Sequence, residues 1–195
     1  MAFRLRGPTA ATSITKPPCV PHHDNSRPAA GDFAAYTDYQ SRDDVYRYLY
    51  AQPPVGEALA QQFRKVLEAP FERDGDILRL AVTRNNDGAV LGEVLLKLAS
   101  TAALQCEVGY VFHPGYGGQG YATEAAGAMI DVGVSQLGFH RIFARLDAAN
   151  AGSVGVVERL GMRREAHLIQ NDCFNGVWGD EFIYAVLAAE WLARG

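Results

Sequence analysis

The sequence predicts an α/β domain with a mixed, mostly antiparallel sheet of about six to seven strands flanked by helices. Three observations support this prediction. Segments of helical and strand periodicity follow one another as helices, three strands, a helix, a strand, a helix and two strands. A glycine-rich run over residues 113–126 joins an apolar strand-like segment to a long Ala-rich helix. The 195 residues, 48% of them hydrophobic and 21% charged, suit a single globular unit.

The first residues are predicted to form an arm. Residues 1–30 are rich in proline and glycine, which favours a loop, although a short first strand can be placed at residues 3–6. The adjacent histidines His22 and His23 are expected to be solvated loop residues rather than metal ligands. We therefore divide the chain into an arm over residues 1–30 and one domain over residues 31–195.

Two helices are predicted next. Residues 31–49 should form the first, with an apolar side made of Phe33, Tyr36, Val45, Tyr48 and Leu49. Residues 56–67 should form the second, with one apolar stripe made of Leu59, Phe63, Val66 and Leu67. The aromatic residues of this region could line a pocket or pack in the core, and the sequence does not decide between these roles.

A hairpin and a third strand follow. Residues 77–82 form an apolar strand, residues 85–88 (Asn-Asn-Asp-Gly) are a strong turn signal, and residues 90–98 return. Residues 104–112 are the next strand, and they lead into the glycine-rich run. A long helix is expected over residues 119–137, with an apolar stripe made of Ala122, Ala126, Met129, Ile130, Val134 and Leu137.

The C-terminal third is predicted to contain three strands and one helix. Residues 140–147 form a strand, and residues 150–160 form a helix that Asn150 caps and Gly161 ends. The buried stripe of this helix should be Val154, Val157 and Leu160. Two further strands are expected over residues 164–170 and 180–187.

Composition and charge exclude several classes of protein. The net charge of −4 offers no basic surface for a nucleic acid or an anionic membrane. No stretch approaches the length of a membrane span, and no apolar segment marks a signal peptide. Cys19, Cys106 and Cys173 are odd in number and widely spaced, which disfavours disulfides and zinc and favours a cytoplasmic location.

The glycine-rich run predicts an anion site. The first N–H groups of a helix have no backbone partners, and the helix dipole adds positive potential there. The spacing of Gly115, Gly117 and Gly120 also fits a dinucleotide-binding pattern, but the first suitable acidic residue, Asp147, comes late. A P-loop is disfavoured because Tyr121 and Ala122 stand where it needs Lys and Ser/Thr. The pyrophosphate of coenzyme A needs only backbone amides, and we favour this ligand.

Four stretches in order along the chain carry a family resemblance: residues 107–110, 117–124, 147–162 and 175–191. They resemble, in turn, the fourth strand, the acyl-CoA motif, the N-x-x-S helix and the closing strands of the GNAT superfamily of acyl-CoA-dependent N-acetyltransferases. The branch that they resemble is the RimJ/RimL-type, which acetylates protein N-termini and other amines. The resemblance covers about residues 31–192 and implies a GNAT fold that is splayed between the fourth and fifth strands.

Two departures from the family pattern bear on its chemistry. Gly117 stands where the family has Gln or Arg, which removes a side chain but leaves the backbone amides. Val157 stands where many GNAT enzymes have a tyrosine that acts as a general acid. That tyrosine role cannot be transferred to this chain.

The resemblance implies a direct reaction in which a neutral amine attacks the thioester carbonyl of acetyl-CoA. Glu107 is the candidate base, since a lone carboxylate in an apolar strand would have a raised pKa, although it could instead face solvent. Ser153 is the candidate proton donor to the thiolate, or it only satisfies a backbone N–H of its helix. Asn150 is a third candidate at the catalytic centre, as a donor to pantetheine or a simple cap. Tyr110 and Tyr184 are weaker candidates near the thioester, and His113 and His140 are expected to be structural.

Acetyl-CoA is the expected co-substrate, with no metal. Backbone amides from Gly118 to Thr123 should hold its pyrophosphate, and the extended backbone from Val111 to His113 should pair with pantetheine. Arg159 could meet a phosphate or form a surface ion pair. The predicted cofactor contacts are Val111, Phe112, His113, Gly118, Gln119, Gly120, Tyr121, Ala122, Thr123 and Asn150.

The expected function is acetyl transfer from acetyl-CoA to a primary amine, either a protein N-terminus or a small molecule. The alternative is a CoA-binding regulatory domain or pseudoenzyme without turnover, and a dinucleotide oxidoreductase is a third hypothesis. No nucleic acid or membrane partner is expected, and a homodimer would not be surprising. The sequence does not identify the acceptor amine.

Overall fold

The computed structural model describes residues 3–6 and 28–194. Most of the predicted arm, including His22, His23 and Cys19, lies outside these residues. The helices are α1 (Phe33–Gln40), α2 (Asp43–Tyr46), α3 (Gly56–Glu68), α4 (Tyr121–Asp131), α5 (Ala151–Arg159) and α6 (Ala188–Leu192). The strands are β1 (Phe3–Arg6), β2 (Ile77–Arg84), β3 (Val90–Ser100), β4 (Gln105–Phe112), β5 (Arg141–Asp147), β6 (Arg163–Phe174) and β7 (Val177–Leu187).

The strands form one seven-stranded sheet in the order β1-β2-β3-β4-β5-β7-β6. All neighbours are antiparallel except β4 and β5, which are parallel and pair only through Gln105–Arg141, Cys106–Ile142 and Glu107–Phe143. Beyond this short ladder β4 continues to Phe112 and β5 to Asp147, so a gap opens between them. This confirms the predicted mixed sheet that is splayed between its fourth and fifth strands.

The two faces of the sheet carry different helices. One face packs against α4 and α5 around the main core, which includes Val94, Leu96, Met129, Ile142 and Val157. The other face packs against α1 and α3, where Tyr36, Tyr39, Leu59, Phe63 and Val66 form a smaller cluster. Because side chains alternate between the two faces of a strand, consecutive residues of β3 and β4 pack alternately against the main core and against the smaller cluster.

The predicted single helix over residues 31–49 is wrong. It is interrupted at Ser41, whose hydroxyl donates to the Thr37 carbonyl at 2.7 Å, and at Arg42, whose backbone is extended (φ −95°, ψ 131°). A serine that bonds back to the preceding turn competes with helix continuation. Phe33 and Leu49, assigned to the apolar side, are exposed, whereas Tyr39 and Tyr46 are buried.

A buried polar cluster fastens α1 to β3. Glu93 is 0% exposed, and its Oε1 accepts hydrogen bonds from Arg79 Nη1 (2.6 Å) and Gln40 Nε2 (3.1 Å). Its Oε2 has no hydrogen-bond partner of good geometry within the described chain. Burial raises the pKa of Glu93, and the charge of Arg79 opposes that rise. Tyr46 donates to Gln40 Oε1 at 2.7 Å and extends the cluster to α2.

The long helix and the closing strands also differ from their predicted limits. Helix α4 begins at Tyr121, not at residue 119, and residues Val132–Gln136 continue it as a π-helical turn. Gly133 lies in that turn against Ile142, and a Cβ there would be 2.7 Å from Ile142 Cδ1. Strands β6 and β7 are longer than predicted and meet at a tight turn, and α5 buries Val156 and Val157.

Candidate active site

The glycine turn presents a row of backbone amides. Gly118 (φ 73°) and Gly120 (φ 85°) are left-handed, a conformation that glycine adopts at no steric cost. Gly120 is the N-cap of α4 without a side-chain cap, and the first helical hydrogen bond runs from Glu124 N–H to Gly120 O at 3.0 Å. The amides of Tyr121, Ala122 and Thr123 therefore precede the helical ladder. The turn has the features of an anion site at a helix N-terminus.

His113 shapes the chain just before this turn. Its Nδ1 accepts a hydrogen bond from Gly115 N–H at 3.0 Å, and its Nε2 lies 3.3 Å from Asp38 Oδ2 on α1. The ring therefore joins the turn to α1. His140 is exposed at the start of β5, away from the turn.

The gap-facing backbone of β4 differs from the prediction. The His113 N–H donates to the Leu91 carbonyl of β3 at 2.9 Å, and the Val111 carbonyl lies close to Gly92 of β3. In an antiparallel ladder, neighbouring residues direct their N–H and C=O groups to opposite sides. Phe112 therefore directs its backbone groups toward the gap, whereas Val111 and His113 are used within the sheet.

The N-terminus of α5 lies over the same gap. Asn150 Oδ1 accepts from Ser153 N–H at 3.1 Å, so Asn150 is the N-cap, and no other described residue hydrogen-bonds to its Nδ2. Tyr110 of β4 donates to the Ser153 carbonyl at 3.2 Å and joins strand to helix across the opening. Burial raises the pKa of Tyr110 to about 12, so the phenol stays protonated well above neutral pH. Val157, one turn beyond Ser153, is fully buried.

Arg159 connects α5 to the glycine turn. Its Nε donates to Thr123 Oγ1 at 3.3 Å, in the first turn of α4. Among the described residues Arg159 forms no ion pair, so the predicted surface salt bridge is absent there. The guanidinium adds positive charge beside the amide row. Tyr184, by contrast, donates to Glu158 Oε1 at 3.1 Å and is already paired.

Glu107 lies on the α1 and α3 face of the sheet and is not a lone carboxylate. Its Oε1 lies 3.3 Å from Arg145 Nε of β5, and Arg145 also lies 3.7 Å from Glu181 Oε1 of β7. The side chain is 19% exposed, so it is accessible from that face. The prediction of an isolated acid in an apolar strand is therefore wrong. Glu107 lies opposite Phe143 of β5, and Arg145, two residues after Phe143, lies on the same face and reaches the carboxylate.

Metal and membrane features are both absent from residues 3–6 and 28–194. No group of three or more His, Cys, Asp and Glu side chains is arranged to hold a metal ion there. In the same residues no helix has the length and apolar character that crossing a bilayer requires. Cys106 is buried and Cys173 exposed, and both are free.

Comparison with known proteins identifies the family. A family model described as "Acetyltransferase (GNAT) domain" matches residues 26–163, more than half of the chain. The chain therefore belongs to the GNAT acetyltransferase family. An uncharacterized N-acetyltransferase of Bacillus subtilis, YnaD, is 40% identical over 85 residues, which are 44% of this chain and 50% of that protein. The matched regions span little more than half the length of the first two curated relatives.

Two solved structures show the same fold. A GNAT-family acetyltransferase from Bacillus anthracis has a TM-score of 0.74 at 27% identity, covering 84% of this chain and 93% of that one. A spermidine N-acetyltransferase from Vibrio cholerae, solved in complex with CoA and spermine, has a TM-score of 0.74 at 20% identity. That likeness covers 85% of this chain and 95% of the other, and it establishes the fold alone.

Proposed function

We propose that the chain transfers an acetyl group from acetyl-CoA to a primary amine, by direct attack in a ternary complex, as a RimJ/RimL-type enzyme. The observation that carries the proposal is the amide row from Gly118 to Thr123 at the end of the strand that borders the gap. A diphosphate bound by this row would continue into a pantetheine arm along β4. The CoA-bound GNAT relative supports the choice of carrier.

The cofactor contacts follow from this placement. The amides of residues 118–123 hold the diphosphate, and the Arg159 guanidinium neutralises part of its charge. The backbone of Phe112, which has no neighbouring strand on the gap side, hydrogen-bonds to one amide of pantetheine. Asn150 Nδ2 donates to an acceptor elsewhere on the pantetheine arm. The thioester then lies near Tyr110 and Ser153, at the N-terminus of α5.

The reaction has two proton transfers. The acceptor is mostly an ammonium at neutral pH, so Glu107 takes its proton, directly or through a water. The amine nitrogen then bonds to the thioester carbonyl carbon, and the carbon–sulfur bond breaks. The second proton passes from the same nitrogen to the leaving thiolate through the Ser153 hydroxyl, which gives its own proton to the sulfur and takes the nitrogen's proton in return; the Asn150 cap does not use this hydroxyl. A cytoplasmic location belongs to the same proposal, since a free exposed thiol such as Cys173 suits a reducing compartment.

Replacing Gly120 with alanine should weaken acetyl-CoA binding by about tenfold or more, because a Cβ would then stand where the phosphates approach the chain. Isothermal titration calorimetry measures the affinity. Gly138→Ala is the matched control, since Gly138 is also left-handed (φ 72°) with open space around it, but follows the other end of the α4 segment.

Release of free thiol with a panel of amines measures turnover directly. Binding of acetyl-CoA without thiol release from any amine would leave a CoA-binding domain without activity. Equal affinity of the wild type, Gly120→Ala and Gly138→Ala would show that the carrier binds elsewhere.

A further inference from the structure

A cavity of about 540 Å³ opens where β5 ends. Its walls come from the segment after α2, from the residues that follow β5, and from the β6–β7 hairpin. Arg47, Tyr50, Asp147, Phe174, Trp178 and Asp180 are the lining residues that carry the inference. The sequence did not place these residues together, because they come from three distant parts of the chain.

The cavity lies on the same face of the sheet as Glu107. Asp147 is the last residue of β5 and pairs with Glu181 of β7. Arg145, two residues earlier and therefore on the same face, contacts both Glu107 and Glu181. A molecule in this cavity can therefore extend along the sheet toward the carboxylate proposed as the base.

Two carboxylates are fixed in the wall without a Lys or Arg partner among the described residues. Asp147 accepts from Tyr50 OH at 2.8 Å and from Ala149 N–H at 2.7 Å, which are both neutral donors. Asp180 accepts from Gln170 N–H at 2.9 Å and contacts His167 Nε2 at 2.8 Å.

The Ala148 N–H donates to the Asp180 carbonyl at 2.9 Å, which keeps the two acidic residues adjacent. Within the described chain no Lys or Arg forms an ion pair with either carboxylate. A carboxylate accepts up to about four hydrogen bonds, so each retains capacity for a cationic donor.

Aromatic rings supply the rest of the surface. Trp178 is 60% exposed in the wall, a high value for so large an apolar side chain. Tyr50 lies against Gly179, where a Cβ would be only 2.1 Å from the tyrosine hydroxyl, so only glycine allows this approach. Tryptophan and tyrosine faces attract alkylammonium groups and cover methylene chains. Arg47 also lines the wall, and its guanidinium lies over the Tyr48 ring, 5.2 Å from its centroid.

We propose that this cavity is an acceptor subsite that binds the second ammonium of a linear diamine or polyamine. Asp147 and Asp180 bind that charge, and Trp178 and Tyr50 cover the intervening methylenes, while the other amine reaches toward Glu107. The inference rests on the proposed acetyltransferase function and adds the class of acceptor. An amine with a single charge, placed at Glu107, leaves both carboxylates without an ammonium partner.

Fluorescence of Trp178 tests binding independently of turnover. The chain has two tryptophans, and Trp191, bonded to Asp131, is removed by Trp191→Phe. In this background, with CoA present, 1,4-diaminobutane should change the emission at a concentration at least about tenfold below that needed for n-butylamine. These two amines have the same chain length and differ by one charge.

Asp147→Asn and Asp180→Asn should each remove most of the diamine preference, in fluorescence and in kcat/KM. Glu57→Gln, which changes an exposed carboxylate on α3, should preserve it. Asp180→Asn can still accept from Gln170 N–H, so it tests the charge even if Asp147→Asn folds poorly.

The outcomes separate the two proposals. Equal binding and acetylation of n-butylamine and 1,4-diaminobutane, unchanged in the Asp→Asn variants, would overturn the subsite and leave the acetyltransferase function intact. A strong preference for a peptide N-terminus over diamines would also overturn it. Failure to bind acetyl-CoA would instead overturn the function, whatever Trp178 reports.

Discussion

Glu107→Gln is expected to lower kcat by about 10²–10⁴-fold while leaving the KM for acetyl-CoA nearly unchanged. The substitution keeps the shape of the side chain and its contact with Arg145, but glutamine cannot accept a proton from the incoming ammonium. The loss should shrink as the pH rises toward the pKa of the acceptor, because a growing fraction of the amine is then already neutral. Thiol-release rates at saturating substrates, from pH 6.5 to 9.5, measure this effect.

Glu181→Gln provides the matched control. Glu181 contacts the same guanidinium, so its substitution disturbs Arg145 similarly without touching the proposed base. We expect its kcat to stay within a few-fold of wild type. A Glu107→Gln enzyme with full kcat at pH 6.5 would show that another group, or solvent, takes the proton.

Arg79→Met is expected to lower the free energy of unfolding by about 3–5 kcal/mol near pH 8, since it leaves a fully buried carboxylate without its cation. The loss depends on pH. Burial already raises the folded-state pKa of Glu93, and removal of Arg79 raises it further. When the pKa of an acid is higher in the folded state than in the unfolded state, the acid stabilises the folded protein at pH values below the unfolded-state pKa. This stabilisation is lost as the pH rises through the folded-state pKa. The deficit should therefore be larger at pH 8 than at pH 5.

Urea unfolding at both pH values tests this prediction. Arg64→Met is the control, because Arg64 forms an exposed ion pair with Glu57 and should contribute less than about 1 kcal/mol. Adding Glu93→Gln to Arg79→Met should remove most of the pH dependence of the deficit. If Arg79→Met costs no more than Arg64→Met, Glu93 is not held as a buried charge.

Elements that are determined by short stretches of sequence were predicted correctly from those stretches. The turn at residues 85–88, the strands around it and the stripe of α3 follow from hairpin chemistry and helical spacing, and all are present. The closing strands were predicted too short, although Asn175 (φ 51°) and Gly176 (φ 77°) form a two-residue turn with the strongest hairpin signal. Residues 171–173 and 177–178 are all exposed, so the strand ends beside this turn show no alternation of buried and exposed side chains.

Features that depend on side-chain geometry or on distant residues were not accessible from the sequence. The helix break at Ser41 follows from a hydroxyl that bonds the preceding turn, and serines in continuous helices look the same in sequence. The pairing of Glu107 with Arg145 depends on the register of β4 and β5, which is set by the whole sheet. The Arg159 contact with Thr123 and the cavity at Asp147 likewise arise only when separate elements are packed.

The three-pair ladder between β4 and β5 has a consequence for hydrogen exchange. Amide protons at Tyr110 and Phe112 have no strand partner on the β5 side, whereas that of His113 is bonded to β3. In the unliganded protein we expect the former to exchange with deuterium rapidly and the latter slowly, although all three are close in sequence. A carrier seated in the opening would protect the Phe112 amide and bridge two halves of the molecule that otherwise share few main-chain bonds.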